Sequence, residues 1–292
     1  MDVRVLTPFT ASDGENLALY SWQPEDSTKQ TGRQGVPTRA VVLIVHGLGE
    51  HSGRYDHVAH SLRHWGFDVR AYDQRGHGES GGKPGALPSN TALLDDLAEV
   101  VDDTRLHCHG LPLILLGHSM GGLVVSRFVS LGIRPVEALV MSSPALDVGL
   151  GSFQKLLLKV LPRVAPNLCV GNGLDANLIS HDTQVVKAYL ADRLVHNKIS
   201  PRLGQFIATA GPATVAAAAQ WRTPTLLLYA GADKLVNPAG SHSFAKLSAA
   251  SPAVRPGAVT AKCFDGYYHE LFNESQPAPV FDALKSWLDS RF

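Results

Sequence analysis

The chain is short of the features that most quickly betray a class. Its three cysteines, Cys108, Cys169 and Cys263, are far apart and odd in number. That excludes a disulfide framework and a CxxC metal pair, and it fits a reducing compartment. Neither sign of charge is in excess: Lys plus Arg and Asp plus Glu come to 26 each, so no global field favours nucleic acid as a partner. No apolar run approaches the roughly 18–20 residues that span a bilayer. Met1-Asp2-Val3-Arg4 opens the chain without the charged stretch and apolar core of a signal peptide. The expectation from these absences is a cytoplasmic protein.

What is present is a large potential core: 292 residues, 45% of them hydrophobic, suit one α/β domain with room for an insertion. Residues 1–23 alternate apolar and polar around Gly14-Glu15 and read as an edge hairpin, followed by a loop at 25–39. Strands are expected at 40–45, 67–72, 113–116, 138–141, 225–230 and 259–264. Helices are expected at 55–64, 95–107, 123–131, 241–247 and 280–290. This alternation implies a mostly parallel sheet flanked by helices. It breaks between 146 and 213, where Pro162, Pro166, Pro201 and Pro212 accompany helix-like pieces without a clear buried strand. The expected organisation is therefore a core of 1–145 and 214–292 with a helical cap, 146–213, over the active site.

Leu113-Ile-Leu-Leu-Gly-His-Ser-Met-Gly-Gly122 carries the chemistry. An apolar strand running into G-x-S-x-G and then a helix puts Ser119 on a sharp turn, its hydroxyl lifted above the sheet, with Gly117 and Gly121 where a β-carbon would collide. A serine hydroxyl needs a base, and the base an orienting acid. Asp233, after the strand 225–230, fits the acid, with Asp265 as competitor; His269, after the strand 259–264, fits the base. The oxyanion would be held by the backbone N–H groups of Met120 and of Leu48 in His46-Gly-Leu-Gly49. A dinucleotide reading of that loop fails because the third glycine of G-x-G-x-x-G would fall at Ser52. His107-Cys108-His109 cannot easily face one ion, and His269-Glu270 lacks the second His of H-E-x-x-H, so neither metal nor cofactor is expected.

The sequence resembles the α/β-hydrolase superfamily, in particular its monoacylglycerol lipase and lysophospholipase branch. The resemblance rests on His46-Gly-Leu-Gly-Glu-His-Ser-Gly-Arg-Tyr55, Asp73-Gln-Arg-Gly-His-Gly-Glu-Ser80, Gly117 to Gly122, Gly231-Ala-Asp233, and the stretches 178–182 and 186–195. It implies an α/β-hydrolase fold and a small-molecule lipid ester as substrate, most simply a monoacylglycerol cleaved through an acyl-enzyme. It also implies that Glu50, Arg54 and His269 lie near the polar head of the substrate, with Tyr189 as a weaker candidate. The alternative for Glu50 and Arg54 is a local ion pair that fixes the oxyanion loop, and the two roles are compatible. Residues 73–80 would form a supporting turn. Leu48 is bulkier than the alanine of some relatives, and His269-Glu-Leu-Phe-Asn-Glu274 resembles microbial members more than animal ones.

Phe153 to Leu168 reads as an amphipathic helix, with Phe153, Leu156, Leu157, Val160, Leu161 and Val164 on one face, Lys155, Lys159 and Arg163 on the other, and Pro162 bending or ending it. Its apolar face either rests on a membrane or packs over the active site. The rivals to monoacylglycerol hydrolysis are a lysophospholipase, a short-chain carboxylesterase, an aminopeptidase of the same fold and a non-catalytic receptor. Oligomeric state is not legible.

Overall fold

Every central strand sends alternate side chains to opposite faces, and here both faces are buried. In β3 (Val41–Val45), Val41, Leu43 and Val45 join one apolar cluster while Val42 and Ile44 join the other. β5 (Leu113–His118) divides in the same way, Leu113 and Leu115 against Ile114 and Leu116. This is why both strands read as unbroken apolar runs rather than as alternating ones. The structure, a computed structural model, describes residues 2–24, 38–149 and 151–292, with the side chains of all of these except 152–157. Most of the expected loop at 25–39 lies outside the described residues.

The remaining strands are β1 (Asp2–Thr10), β2 (Asn16–Pro24), β4 (Asp68–Tyr72), β6 (Ala138–Ser142), β9 (Thr225–Ala230) and β10 (Val259–Phe264), with a small pair β7 (Val170–Gly171) and β8 (Lys198–Ile199) elsewhere. The main sheet has eight strands in the order β1-β2-β4-β3-β5-β6-β9-β10. β1 and β2 form an antiparallel hairpin that joins β4 antiparallel, and all other pairings are parallel. α1 (Asp56–His64) and α8 (Ala278–Asp289) cover one face through Val58, Leu62, Val280 and Leu284. α2 (Ala92–His107), α3 (Met120–Ser130) and α7 (Pro238–Ala250) cover the other through Leu97, Val101, Leu123, Phe128 and Phe244.

Between β6 and β9 the chain builds α4 (Ser152–Val164), α5 (Thr183–Ala191) and α6 (Pro201–Ala217). Pro162 lies inside α4, which ends two residues later. The proline denies the Leu158 carbonyl its usual i+4 donor, and Gln205 Nε2 of α6 donates to that carbonyl at 3.2 Å. Position 213, the expected end of the inserted segment, falls within α6. That helix runs through Pro212 to Ala217, and its Leu203, Phe206, Ile207 and Ala210 share the apolar cluster of α3. Burial of that long apolar face sustains the helix through Pro212.

Candidate active site

β5 ends at His118 and α3 begins at Met120, so Ser119 alone makes the turn. Its backbone has φ 53° and ψ −120°, a region that costs a non-glycine residue about 1–3 kcal/mol and persists only where the surroundings enforce it. The enforcement is visible. Ser119 N–H donates to the Ser142 carbonyl at 2.9 Å, and the Ser119 carbonyl accepts from Ala145 N at 2.9 Å. A β-carbon on Gly121 would lie 2.1 Å from the Val45 carbonyl oxygen, and one on Gly117 would lie 2.5 Å from that of Gly121. Helix and strands therefore close on the turn only because both positions are glycine.

The hydroxyl so presented lies 2.8 Å from His269 Nε2, and His269 Nδ1 lies 2.6 Å from Asp233 Oδ2. An ionised carboxylate only accepts hydrogen bonds, so Nδ1 carries the proton and Nε2 is left to accept from Ser119. Asp233 Oδ1 accepts the N–H groups of Leu235 and Val236 at 2.9 and 3.0 Å. Burial works to raise the Asp233 carboxyl, but the charge and hydrogen bond of His269 with these two N–H donors hold it below the usual range. Burial likewise pulls His269 down, yet Asp233 and, less strongly, Glu270 and Glu50 outweigh it and raise the imidazole. Asp265, the competing acid, is exposed and accepts from Cys263 Sγ at 3.2 Å.

The loop after β3 passes directly beside the serine: a β-carbon on Gly47 would come within 3.2 Å of Ser119 Cβ. Leu48 follows it, and Met120 is the first residue of α3, where a helix leaves N–H groups without internal partners. Both expected oxyanion donors thus flank Ser119. The loop is held by Glu50, whose Oε1 accepts from Gly47 N at 2.6 Å and from the Tyr55 hydroxyl at 2.7 Å. Burial raises the Glu50 carboxyl, but Arg54 above all brings it below the ordinary range.

Residues 36–276 match the family described as serine aminopeptidase, S33. The chain belongs to that family. It is 36% identical to a monoacylglycerol lipase of Mycolicibacterium smegmatis over 97% of this chain and 96% of the relative. It is 31% identical to a phospholipase, YtpA, of Bacillus subtilis over 86% of this chain and 95% of the relative. The crystal structure of the Paleococcus ferrophilus monoacylglycerol lipase superposes with a TM-score of 0.78 at 35% identity, covering 88% of this chain and 97% of that one. The eight-stranded, mostly parallel sheet is that of the α/β-hydrolases.

Two chambers meet at Ser119. One, of about 500 Å³, is mostly apolar, walled by Leu158, Leu161, Leu168, Ile199, Ile207 and Val236 among others. The other, of about 550 Å³, is the more polar of the two, with Glu50, Glu270, Asp175, Asp192, Asn177 and Tyr189 in its wall beside apolar side chains such as Leu174, Ile179 and Leu190. Ser119, His269 and Leu48 line both. Of the expected head-side residues, Glu50 and Tyr189 reach the polar chamber, whereas the Arg54 guanidinium stands behind them, 4.7 Å from the Tyr189 ring. Residues 73–80 form the expected turn, with Asp73 accepting from Ser52 N, Ser52 Oγ and Glu79 N at 2.8, 2.6 and 2.9 Å.

Sequence reasoning missed Glu270, Asp175 and the His51–Asp192 contact of 2.9 Å. Glu270 carried one usable signal, its place directly after His269. The other two join distant segments and leave no local pattern. Among the described residues no group of three or more His, Cys, Asp or Glu is placed to hold a metal ion, and no helix is long and apolar enough to cross a membrane.

Proposed function

We propose that the chain is a serine ester hydrolase that cleaves monoacylglycerol to fatty acid and glycerol. The observation that carries this reading is the pair of chambers sharing one serine: an ester with a single apolar chain and a small hydroxylated head has one end for each. The monoacylglycerol lipase relatives support the same substrate.

In the proposed cycle His269 Nε2 takes the proton of Ser119 as its Oγ attacks the ester carbonyl. The oxyanion accepts from Leu48 N–H and Met120 N–H. Asp233 holds the imidazole in the productive tautomer and stabilises its charged form. The C–O bond to glycerol breaks as His269 returns the proton to the leaving oxygen, leaving an acyl-Ser119. Water, deprotonated by the same imidazole, then releases the fatty acid. Glu50 and Tyr189 face the glycerol from the polar chamber.

Residues 146–213 act as a cap, with α6 shared between cap and core. The cap supplies most of the apolar wall. It also concentrates exposed apolar surface: Val160, Val164, Leu168, Val170, Leu174 and Leu190 are all exposed, beside the exposed cations Lys159 and Arg163. Such a face suits peripheral contact with a lipid surface. On that reading, Val164→Ser with Leu168→Ser reduces co-sedimentation with anionic phospholipid vesicles, and undiminished binding would refute it. Phe153, Lys155, Leu156 and Leu157, the other expected members of this face, lie outside the described side chains.

The phospholipase relative keeps lysophospholipid as a second substrate. Against it, the polar chamber presents four carboxylates, so a phosphate head meets repulsion. An aminopeptidase would need a carboxylate for the substrate ammonium; Glu50 and Glu270 are held by Arg54 and Asp192 by His51, which leaves Asp175 in that wall, so the anilide substrate decides this rival. The deciding experiment is steady-state hydrolysis of monoacylglycerols, lysophosphatidylcholine, short p-nitrophenyl esters and an amino-acid anilide. kcat/KM highest on monoacylglycerol and abolished in Ser119→Ala is the expected result. Turnover of the anilide alone would overturn the substrate, and no turnover or fluorophosphonate labelling by folded protein would overturn the enzyme.

A further inference from the structure

The residue after His269 has a carboxylate gripped from two sides without touching either reacting atom. Glu270 Oε1 accepts from Arg54 Nη1 and Oε2 from Arg54 Nη2, both at 2.6 Å, and Oε2 accepts again from Asn273 Nδ2 at 2.8 Å. Arg54 Nη1 also donates to Glu50 Oε2 at 2.6 Å, and Glu50 in turn holds Gly47 of the oxyanion loop. The Glu270 N–H donates to the Ile179 carbonyl of the cap at 2.8 Å.

We propose that Glu270 is a positioning residue for His269, the far arm of a buried Glu50–Arg54–Glu270 clamp that ties the imidazole's loop to the oxyanion loop. The proposal rests on the reading of His269 as the base, and it concerns neither head group nor acyl chain. A bidentate guanidinium–carboxylate pair fixes orientation as well as distance, and Glu270 transmits that orientation to the adjoining residue. Burying three charges is a poor way to gain stability, since such groups often serve a fold no better than well-packed apolar residues. Placed beside a group that must become charged during reaction, they have a use.

The side chains of Arg54, Glu50 and Glu270 are only 10%, 4% and 6% exposed. One cation between two carboxylates leaves a net negative charge there, weakly screened. The groups that face His269 are Asp233 at Nδ1, Ser119 at Nε2, the His118 ring at 4.7 Å, and the two glutamates. Burial and the neighbouring His269 push His118 down to about 4, so it stays neutral at working pH and leaves the glutamates to favour the imidazolium. With its fork already spent on carboxylates, Arg54 has little left to offer a glycerol hydroxyl.

Glu270→Gln removes the charge and keeps the shape. The first readout is the ring titration of His269 by ¹⁵N-edited NMR, assigned through the signal lost in His269→Asn; it does not depend on any substrate. The second is kcat and KM on a monoacylglycerol and on p-nitrophenyl butyrate. The expected results are a His269 midpoint lower by about half a pH unit or more and a kcat lower by about tenfold on both esters, with KM little changed. Glu270→Asp, which keeps the charge, restores most of the midpoint. Should Glu270→Gln fail to fold, Arg54→Lys keeps the cation and loses the fork, and its kcat should fall while KM holds. An unmoved midpoint, or a KM change confined to monoacylglycerol, would overturn the proposal in favour of a head-group contact. Wild-type protein that hydrolyses neither ester would sink the proposed function, while the titration still decides the clamp.

Discussion

Gly204 is the residue through which the apolar chamber can be shortened without touching the chemistry. It lies on α6 in the chamber wall, and a β-carbon there would point at Leu158 Cδ2, 3.2 Å away, and Ile199 Cδ1, 3.9 Å away, both also wall residues. Gly204→Leu therefore places four carbons in space that an acyl chain would fill. Each buried methylene is worth about 0.8 kcal/mol, or about fourfold in kcat/KM. Losing the room for three or four of them should cost long-chain substrates about 3 kcal/mol, on the order of a hundredfold. Folding is not the obstacle, because replacing glycine inside a helix gains up to ~1 kcal/mol of propensity and the contacted atoms are the ends of flexible side chains. The assay is kcat/KM on monoacylglycerols from butyryl to palmitoyl. Wild type should climb with chain length until the chamber is full; the variant should match it on butyryl and flatten several carbons earlier. An equal loss at all lengths, or an unchanged profile, would show that the acyl chain does not occupy this chamber.

Three further outcomes follow from the structure. Burial lowers His269, but Asp233 and the glutamates outweigh it and set the imidazole above its ordinary value of 6.5. In the proposed cycle the base is the neutral ring, so activity is lost as pH falls through that raised value, and the acid limb of kcat/KM should have its midpoint above 6.5; a midpoint below it would contradict the proposed electrostatics. Gly121→Ala drives a methyl into the Val45 and His46 carbonyls, at 2.1 and 2.4 Å, and should destabilise urea unfolding by about 1–3 kcal/mol or more. It should also slow fluorophosphonate labelling, because those carbonyls belong to the strand and loop that carry Leu48. Gly132→Ala, at φ 64° with nothing within 4 Å, should cost only the ~1–2 kcal/mol of its left-handed backbone and leave labelling unchanged.

Strand positions were legible because a strand buried on both faces has to be a short unbroken apolar run. The turn at Ser119 was legible because close approach among β3, β5 and α3 admits only glycine at 117 and 121. Helix starts were read late: α2 begins at Ala92 rather than 95, and α3 at Met120 rather than 123. Glycines and a serine opened α3 where propensity counts against a helix, and tertiary packing overrode it. Pro212 stands inside α6, which continues past it because its apolar face is buried. The Glu50–Arg54–Glu270 clamp was half visible, as an i,i+4 pair; its other half is 216 residues away, beyond any local pattern. Asp175 and Asp192 left no local signal, because they join the chamber wall only where 172–197 packs beside Ser119.

That division of labour has a mechanical consequence. Residues outside 146–213 supply Ser119, His269, Asp233, Leu48 and Met120, the groups to which the proposed cycle gives its chemistry, while 146–213 supplies most of both chamber walls. If the two were independent, the cap could select substrates without affecting the chemical step. They are not independent, because two backbone hydrogen bonds join them at the site itself. His196 N–H of the cap donates to the Gly49 carbonyl at 2.8 Å, one residue from Leu48, and Glu270 N–H donates to Ile179 of the cap, one residue from His269. A β-carbon on Gly49 would fall 2.3 Å from the His196 carbonyl oxygen, so cap and oxyanion loop are in direct backbone contact. Any movement of the cap that widens the chambers must therefore pull on the oxyanion loop and on the base together. On the proposed function, an acyl chain that ordered 146–213 would therefore bear on both, and binding energy far from the carbonyl would appear in kcat rather than in KM alone.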